Sequence, residues 1–221
     1  MIARLLGVLS AALILALSGC YLPSEFKAEI RINALGDYSM LYVGDLVFAP
    51  LYQDAVQGKL TAAEIKEKID LLIRDLQRDK VYDPARNVTT DIPHFREVVS
   101  KGMGRFHVRY EREGWLDDKD TVNFVRRNAV VISLRAKDGL ISIAVPGLKP
   151  ADAQRLSGLG LDVKGELRVV TNAQVMSHNA NQIKTLGGYM VYIWKVESAL
   201  SPSPHIVLKQ EPRFVEKRAG R

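Results

Sequence analysis

Few side chains in this chain have the type and spacing to do chemistry. The four histidines, His94, His107, His178 and His205, are too scattered for a metal-ligand set and have no cysteine partner nearby. His107 alternates onto the polar side of a strand pattern, which predicts simple solvation, and His178 stands beside Asn179 and Asn181, which predicts a turn hydrogen bond. Asp117-Asp118-Lys119-Asp120 clusters carboxylates as a hard cation requires. An EF-hand loop begun at Asp118, however, needs glycine and glutamate where Asn123 and Ala129 stand, so the cluster reads as a solvated acidic turn. No H-E-x-x-H, G-x-S-x-G, P-loop or G-x-G-x-x-G occurs. The sequence therefore predicts a non-enzymatic protein with no catalytic residues, no metal site and no cofactor.

Cys20 is the exception, and it is the chain's single cysteine. Ahead of it Arg4 supplies a positive start, and the thirteen residues from Leu5 to Leu17 carry no charge. That run is too short to span a bilayer, which takes about 20 residues as a helix, and it ends in the small residues Ser18 and Gly19. This is the plan of a secretory signal. The ending Leu17-Ser18-Gly19-Cys20 resembles the lipobox of bacterial lipoproteins. The resemblance implies that residues 1–19 are removed and that Cys20 carries the acyl chains, palmitate among them, that hold the protein on a membrane. Two or three chains make such an anchor effectively permanent. In that family aspartate after the cysteine commonly retains the protein in the inner membrane. Tyr21 here implies the periplasmic face of the outer membrane in a cell with two membranes, and otherwise the outer face of the cytoplasmic membrane.

Lysine and arginine number 31 against 25 acidic residues, a net charge of +6 that falls by one when Arg4 leaves with the signal. A mildly basic surface fits anionic headgroups or an acidic partner. Lys101, Arg105, Arg109 and Arg112 are the expected headgroup contacts, each contributing roughly 1 kcal/mol near an anionic membrane. Nucleic acid is not an expected partner, because no motif of the usual binding modules is present.

The elements follow from periodicity. Residues 20–25 read as the lipidated cysteine and a short linker, 26–209 as one domain and 210–221 as a basic tail. Phe26 to Ala34 alternates with period two and Tyr38 to Ala49 is a second strand, which together predict a hairpin. Pro50 opens a short helix through Val56. The strongest helix runs from Thr61 to Lys80, with the capping box Thr61-Ala62-Ala63-Glu64 and an apolar stripe at Ile65, Ile69, Leu72, Ile73 and Leu76. A helical turn is expected over His94 to Val99, and strands around Phe106 to Tyr110, Val130 to Ala136, Leu140 to Val145, Val163 to Thr171 and Gly188 to Val196. Lys149 to Leu156 reads as a short helix and Ile206 to Leu208 as a short edge strand.

Hairpin-linked strands with helices between them predict an α+β fold, an antiparallel sheet with the amphipathic helix and the shorter helices packed on one face. This order, with the late strand ending Trp194-Lys195-Val196, resembles a bacterial lipoprotein family typified by LppM. The resemblance implies an envelope lipoprotein with lipid-binding capacity. Tyr38, Tyr42, Tyr192 and Trp194 on strands, facing Ile69, Leu72 and Leu76 on the helix, either line a cavity for an acyl chain or fill a core. The expected partner beyond the membrane is accordingly a lipid or other amphiphile, or alternatively an envelope protein that the domain helps to assemble.

Overall fold

The computed structural model describes residues 21–78, 80–83, 88–126 and 129–212, the side chains of 81–91 excepted. Residues 1–20, with the lipobox and Cys20, and the basic tail from 213 lie outside the described residues.

Two sheets face each other around one core. The larger has seven strands in the order β12 (Gln182–Leu186), β13 (Tyr189–Val196), β10 (Gly165–Thr171), β1 (Tyr21–Ile32), β2 (Asp37–Phe48), β6 (Arg105–Trp115) and β5 (Phe95–Gly102). The smaller has five, in the order β11 (Val175–His178), β14 (His205–Lys209), β9 (Leu140–Ala144), β8 (Ala129–Lys137) and β7 (Thr121–Arg126). A separate hairpin joins β3 (Lys80–Asp83) to β4 (Val88–Pro93). Among the described residues three helices join them: α1 (Ala49–Val56), α2 (Ala62–Leu76) and α3 (Pro150–Gly158).

Alternation decides which residues meet. Phe26, Ala28, Ile30 and Ile32 of β1 and Tyr38, Met40, Tyr42 and Leu46 of β2 turn inward, against Phe124, Ile132, Leu134 and Ile143 of the smaller sheet. Phe124 is the inter-sheet key, its ring 4.6 Å from Tyr42 and 4.7 Å from Tyr110. Gly44 permits the close approach of β2 to β1 at the irregularity between Ser24 and Lys27, since a Cβ there would lie 2.5 Å from the Phe26 Cα. The β8–β9 hairpin turns at Asp138 (φ 52°) and Gly139 (φ 72°), the two positive φ values that an Asp-Gly turn supplies.

The α+β expectation holds at that level, and several details are corrected. Two sheets rather than one enclose the core among the described residues, and β1 pairs with β10 in parallel, because the chain returns through α3 on a crossover instead of a hairpin. The expected linker is part of the fold, since Tyr21 to Ser24 pair with Phe48 to Asp45. His94 to Val99 is not a helical turn; Phe95 to Gly102 is the strand β5, held by pairing with β6. The Ile206 to Leu208 strand lies inside its sheet, between β11 and β9, with Leu208 fully buried.

Nor do the helices share one face. α3 places Leu156 with Leu22, Val47 and Ala49 in a small cluster separate from the main core, and Tyr52 of α1 donates to the Leu159 carbonyl at 3.3 Å. α2 instead sends Ile69 and Leu76 into the main core beside β5. Its capping box forms, with the Glu64 amide donating to the Thr61 hydroxyl and the Thr61 amide to the Glu64 carboxylate.

Candidate functional site

The described chain begins one residue after Cys20, and at that point it lines a cavity. Tyr21, Leu22, Pro23 and Phe26 of β1 form one wall of a space of about 230 Å³. The opposite walls are Ala129 to Ile132 of β8, the loop Val145 to Leu148 and the loop from Ser198 to Pro204. No charged side chain lines it among the described residues, and its polar groups are serines and the Tyr21 phenol. Such a wall excludes ions and accepts hydrocarbon.

The walls are fixed by ordinary structure. β1 and β8 approach each other here because their inner faces share the core. The Ser198 to Pro204 loop is braced internally, the Glu197 and Ser198 amides both donating to the Ser201 hydroxyl at 3.1 and 3.0 Å. The Tyr21 hydroxyl is buried without a hydrogen-bond partner among the described residues. Burial first, then the nearby Asp75 carboxylate, raises its pKa, and Arg126 opposes the shift. Tyr21 is thus a neutral phenol between an apolar cavity and a charged pair.

The seven residues predicted as pocket lining, Tyr38, Tyr42, Ile69, Leu72, Leu76, Tyr192 and Trp194, line neither this cavity nor the second one described below. They are core: Tyr42 and Leu76 are fully buried, and Leu72 is half-buried against the cluster. Tyr42 donates to the Asp45 carbonyl at 2.9 Å and the Trp194 indole to the Asn179 side chain at 2.7 Å. The aromatic strands therefore fill rather than enclose.

The four basic residues also fail to form one cationic face. Lys101 reaches the Asp45 carboxylate at 2.7 Å, and Arg109 reaches Glu111 at 2.6 Å. Arg105 lies over the Tyr52 ring, 5.0 Å from its centre. Arg112 continues the inner face of β6 after Phe106, Val108 and Tyr110, so it points away from the face that carries Arg105 and Arg109.

His107 is not simply solvated, for its Nδ1 lies 2.9 Å from Asp45. Burial pushes the Asp45 carboxyl up, but hydrogen bonds from Lys101 and His107 outweigh it and hold the pKa below the ordinary value. His178 accepts the Ala180 amide at 3.1 Å, as the turn reading expects. The acidic cluster caps turns, with Asp120 accepting the Asp117 amide and Asp118 the Asp138 amide. The cavity loops Val145 to Leu148 and Ser198 to Pro204 have no periodicity, and nothing in their sequence signals a cavity wall.

No family model matches this chain, and no curated protein matches it. Among solved structures, the folded domain of Mycobacterium tuberculosis LppM is similar at a TM-score of 0.39 and 13% identity, over 90% of this chain and 96% of that one.

Proposed function

We propose that this protein is a membrane-anchored, non-enzymatic envelope lipoprotein that binds the apolar chain of a lipid or other amphiphile beside the membrane. One observation carries the reading: the cavity has no charged side chain among its described lining residues and is lined by Tyr21, directly after the residue expected to hold the anchor. Its volume of about 230 Å³ lies below the roughly 300 Å³ at which pockets for whole small molecules begin. It therefore suits a length of acyl chain with the rest of the ligand outside. No helix among the described residues is long and apolar enough to cross a membrane; attachment is assigned to Cys20 by the lipobox resemblance of Leu17-Ser18-Gly19-Cys20.

Native extraction followed by lipid mass spectrometry tests this. Ala199 is a half-buried loop residue in the cavity wall, and Ala199→Phe fills the space without touching the core. Wild type should carry a stoichiometric amphiphile, and the variant should lose it while melting at nearly the same temperature. Equal lipid content in the two would reject the cavity as its site.

A second reading, an interaction module for an envelope complex, has its own support. Ile183, Leu186, Tyr189 and Met190 are all exposed on the β12–β13 hairpin, and β12 is an edge strand. Exposed edges of this kind recruit partner strands. Cross-linking in the same preparation would place a partner on this hairpin if that reading is the right one.

A further inference from the structure

A second space, of about 500 Å³, lies between β5 and β6 of the larger sheet and β7 of the smaller one. Its lining is chemically unlike that of the first cavity. Phe95, Tyr110 and Val125 supply its apolar part, and His94, Arg112, Thr121, Asn123 and Arg126 supply the rest. Among the described residues two arginines and no carboxylate line it, the reverse of what a cation site requires.

The two guanidinium groups are held differently. Arg126 keeps a partner outside the lining, its Nη1 lying 2.7 Å from the Asp75 carboxylate, and that pair cancels much of its charge. Arg112 has only phenols: its Nε donates to the Tyr38 hydroxyl at 3.1 Å, and Tyr110 lies within reach. Among the described residues no carboxylate pairs with it. A half-buried guanidinium with neutral partners has lost water without gaining a counter-charge, and a bound anion would restore one.

The neutral donors agree with this. The side chains of Asn123 and Thr121 line the same space, and neither makes a hydrogen bond to another described residue. His94 Nδ1 lies 3.2 Å from the Glu111 carbonyl, which can only accept, so Nδ1 carries the hydrogen and fixes the ring. An oxyanion set against Arg112 would thus meet one fork of charged donors and neutral donors from the facing strand, and a planar guanidinium matches phosphate or carboxylate bidentately.

We propose that the cleft between β6 and β7 is an oxyanion-binding site, centred on Arg112 with Asn123 and Thr121, that takes a phosphate group. The phosphate is either free or the headgroup of an anionic lipid. The site is separate from the apolar cavity and does not depend on it.

Isothermal titration of the full chain in phosphatidylcholine nanodiscs tests it, with inorganic phosphate and dihexanoylphosphatidylglycerol as probes. Wild type should bind at least one of them, and Arg112→Gln, which keeps a donor for Tyr38, should weaken that binding by about tenfold or more. Asn123→Leu should weaken it less and serves if Arg112→Gln fails to fold. Arg109→Gln, on the opposite face and paired with Glu111, should leave it unchanged. Binding of phosphate alone marks a site for free oxyanions, and tighter binding of the lipid marks a headgroup site. No binding by wild type, equal binding by Arg112→Gln, or an equal loss in Arg109→Gln overturns the proposal. Ala199→Phe should bind phosphate like wild type, which separates this site from the apolar cavity.

Discussion

Asp45 shows how little a side chain's face alone says about its role. It alternates outward on β2, yet it is the shared partner of Lys101 and His107, which approach from β5 and β6. Because its pKa is lowered on folding, its contribution to stability is fully present above the unfolded carboxylate value of about 3.9 and is lost as pH falls through the folded value. Asp45→Asn should therefore lower the urea midpoint at pH 7, and the gap to wild type should close below about pH 4. A gap of constant size from pH 7 to pH 3 would show that the carboxylate charge is not what stabilises this corner. None of this was legible in the sequence. Spacing put Lys101, Arg105, Arg109 and Arg112 near one another, but the acidic partners Asp45 and Glu111 come from pairing, and pairing between distant strands leaves no mark on local charge.

At the scale of elements, α2 was the most legible part, since its cap and stripe are both local. What the stripe covers was not. Ile69 and Leu76 complete a solid core, so the helix closes packing and does not lid a pocket. Leu76→Ala should cost about 2 to 5 kcal/mol, the range for a fully buried leucine, and the half-buried Leu72→Ala clearly less. Chemical denaturation of the two variants checks the order, and equal losses would mean that the whole stripe packs uniformly. Strands were legible where alternation is clean, as in β1 and β6. β7 escaped notice because its register shifts between Phe124 and Val125, which puts two buried residues in succession and breaks the period. The parallel pairing of β1 with β10 was hidden for another reason: periodicity identifies a strand but not its neighbour.

The whole molecule has two distinct ends, and strand register orders them. Tyr21, Phe48 and Arg105 share one end of the larger sheet, and Val196 and the apolar cavity lie with them. The opposite end carries Ile32, Tyr38 and Trp115, and the β12–β13 turn at Leu186 and Tyr189 falls there because Thr171, the partner of Ile32, pairs with Met190. A twelve-residue strand such as β1 rises roughly 40 Å, so an anchor at Cys20 would set the cavity at the bilayer and the exposed hairpin well above it. With strand pairing starting at Tyr21, no free linker remains to blur that arrangement. The orientation rests on acylation of Cys20, which makes that residue the decisive test at this scale. Cys20→Ala should abolish incorporation of a fatty-acid analogue and leave the chain either uncleaved or released from membranes, while its melting stays that of wild type because the residue precedes the first paired strand. Labelling of the variant equal to wild type would place the lipid elsewhere, and with it would go the reason for the cavity to face the membrane.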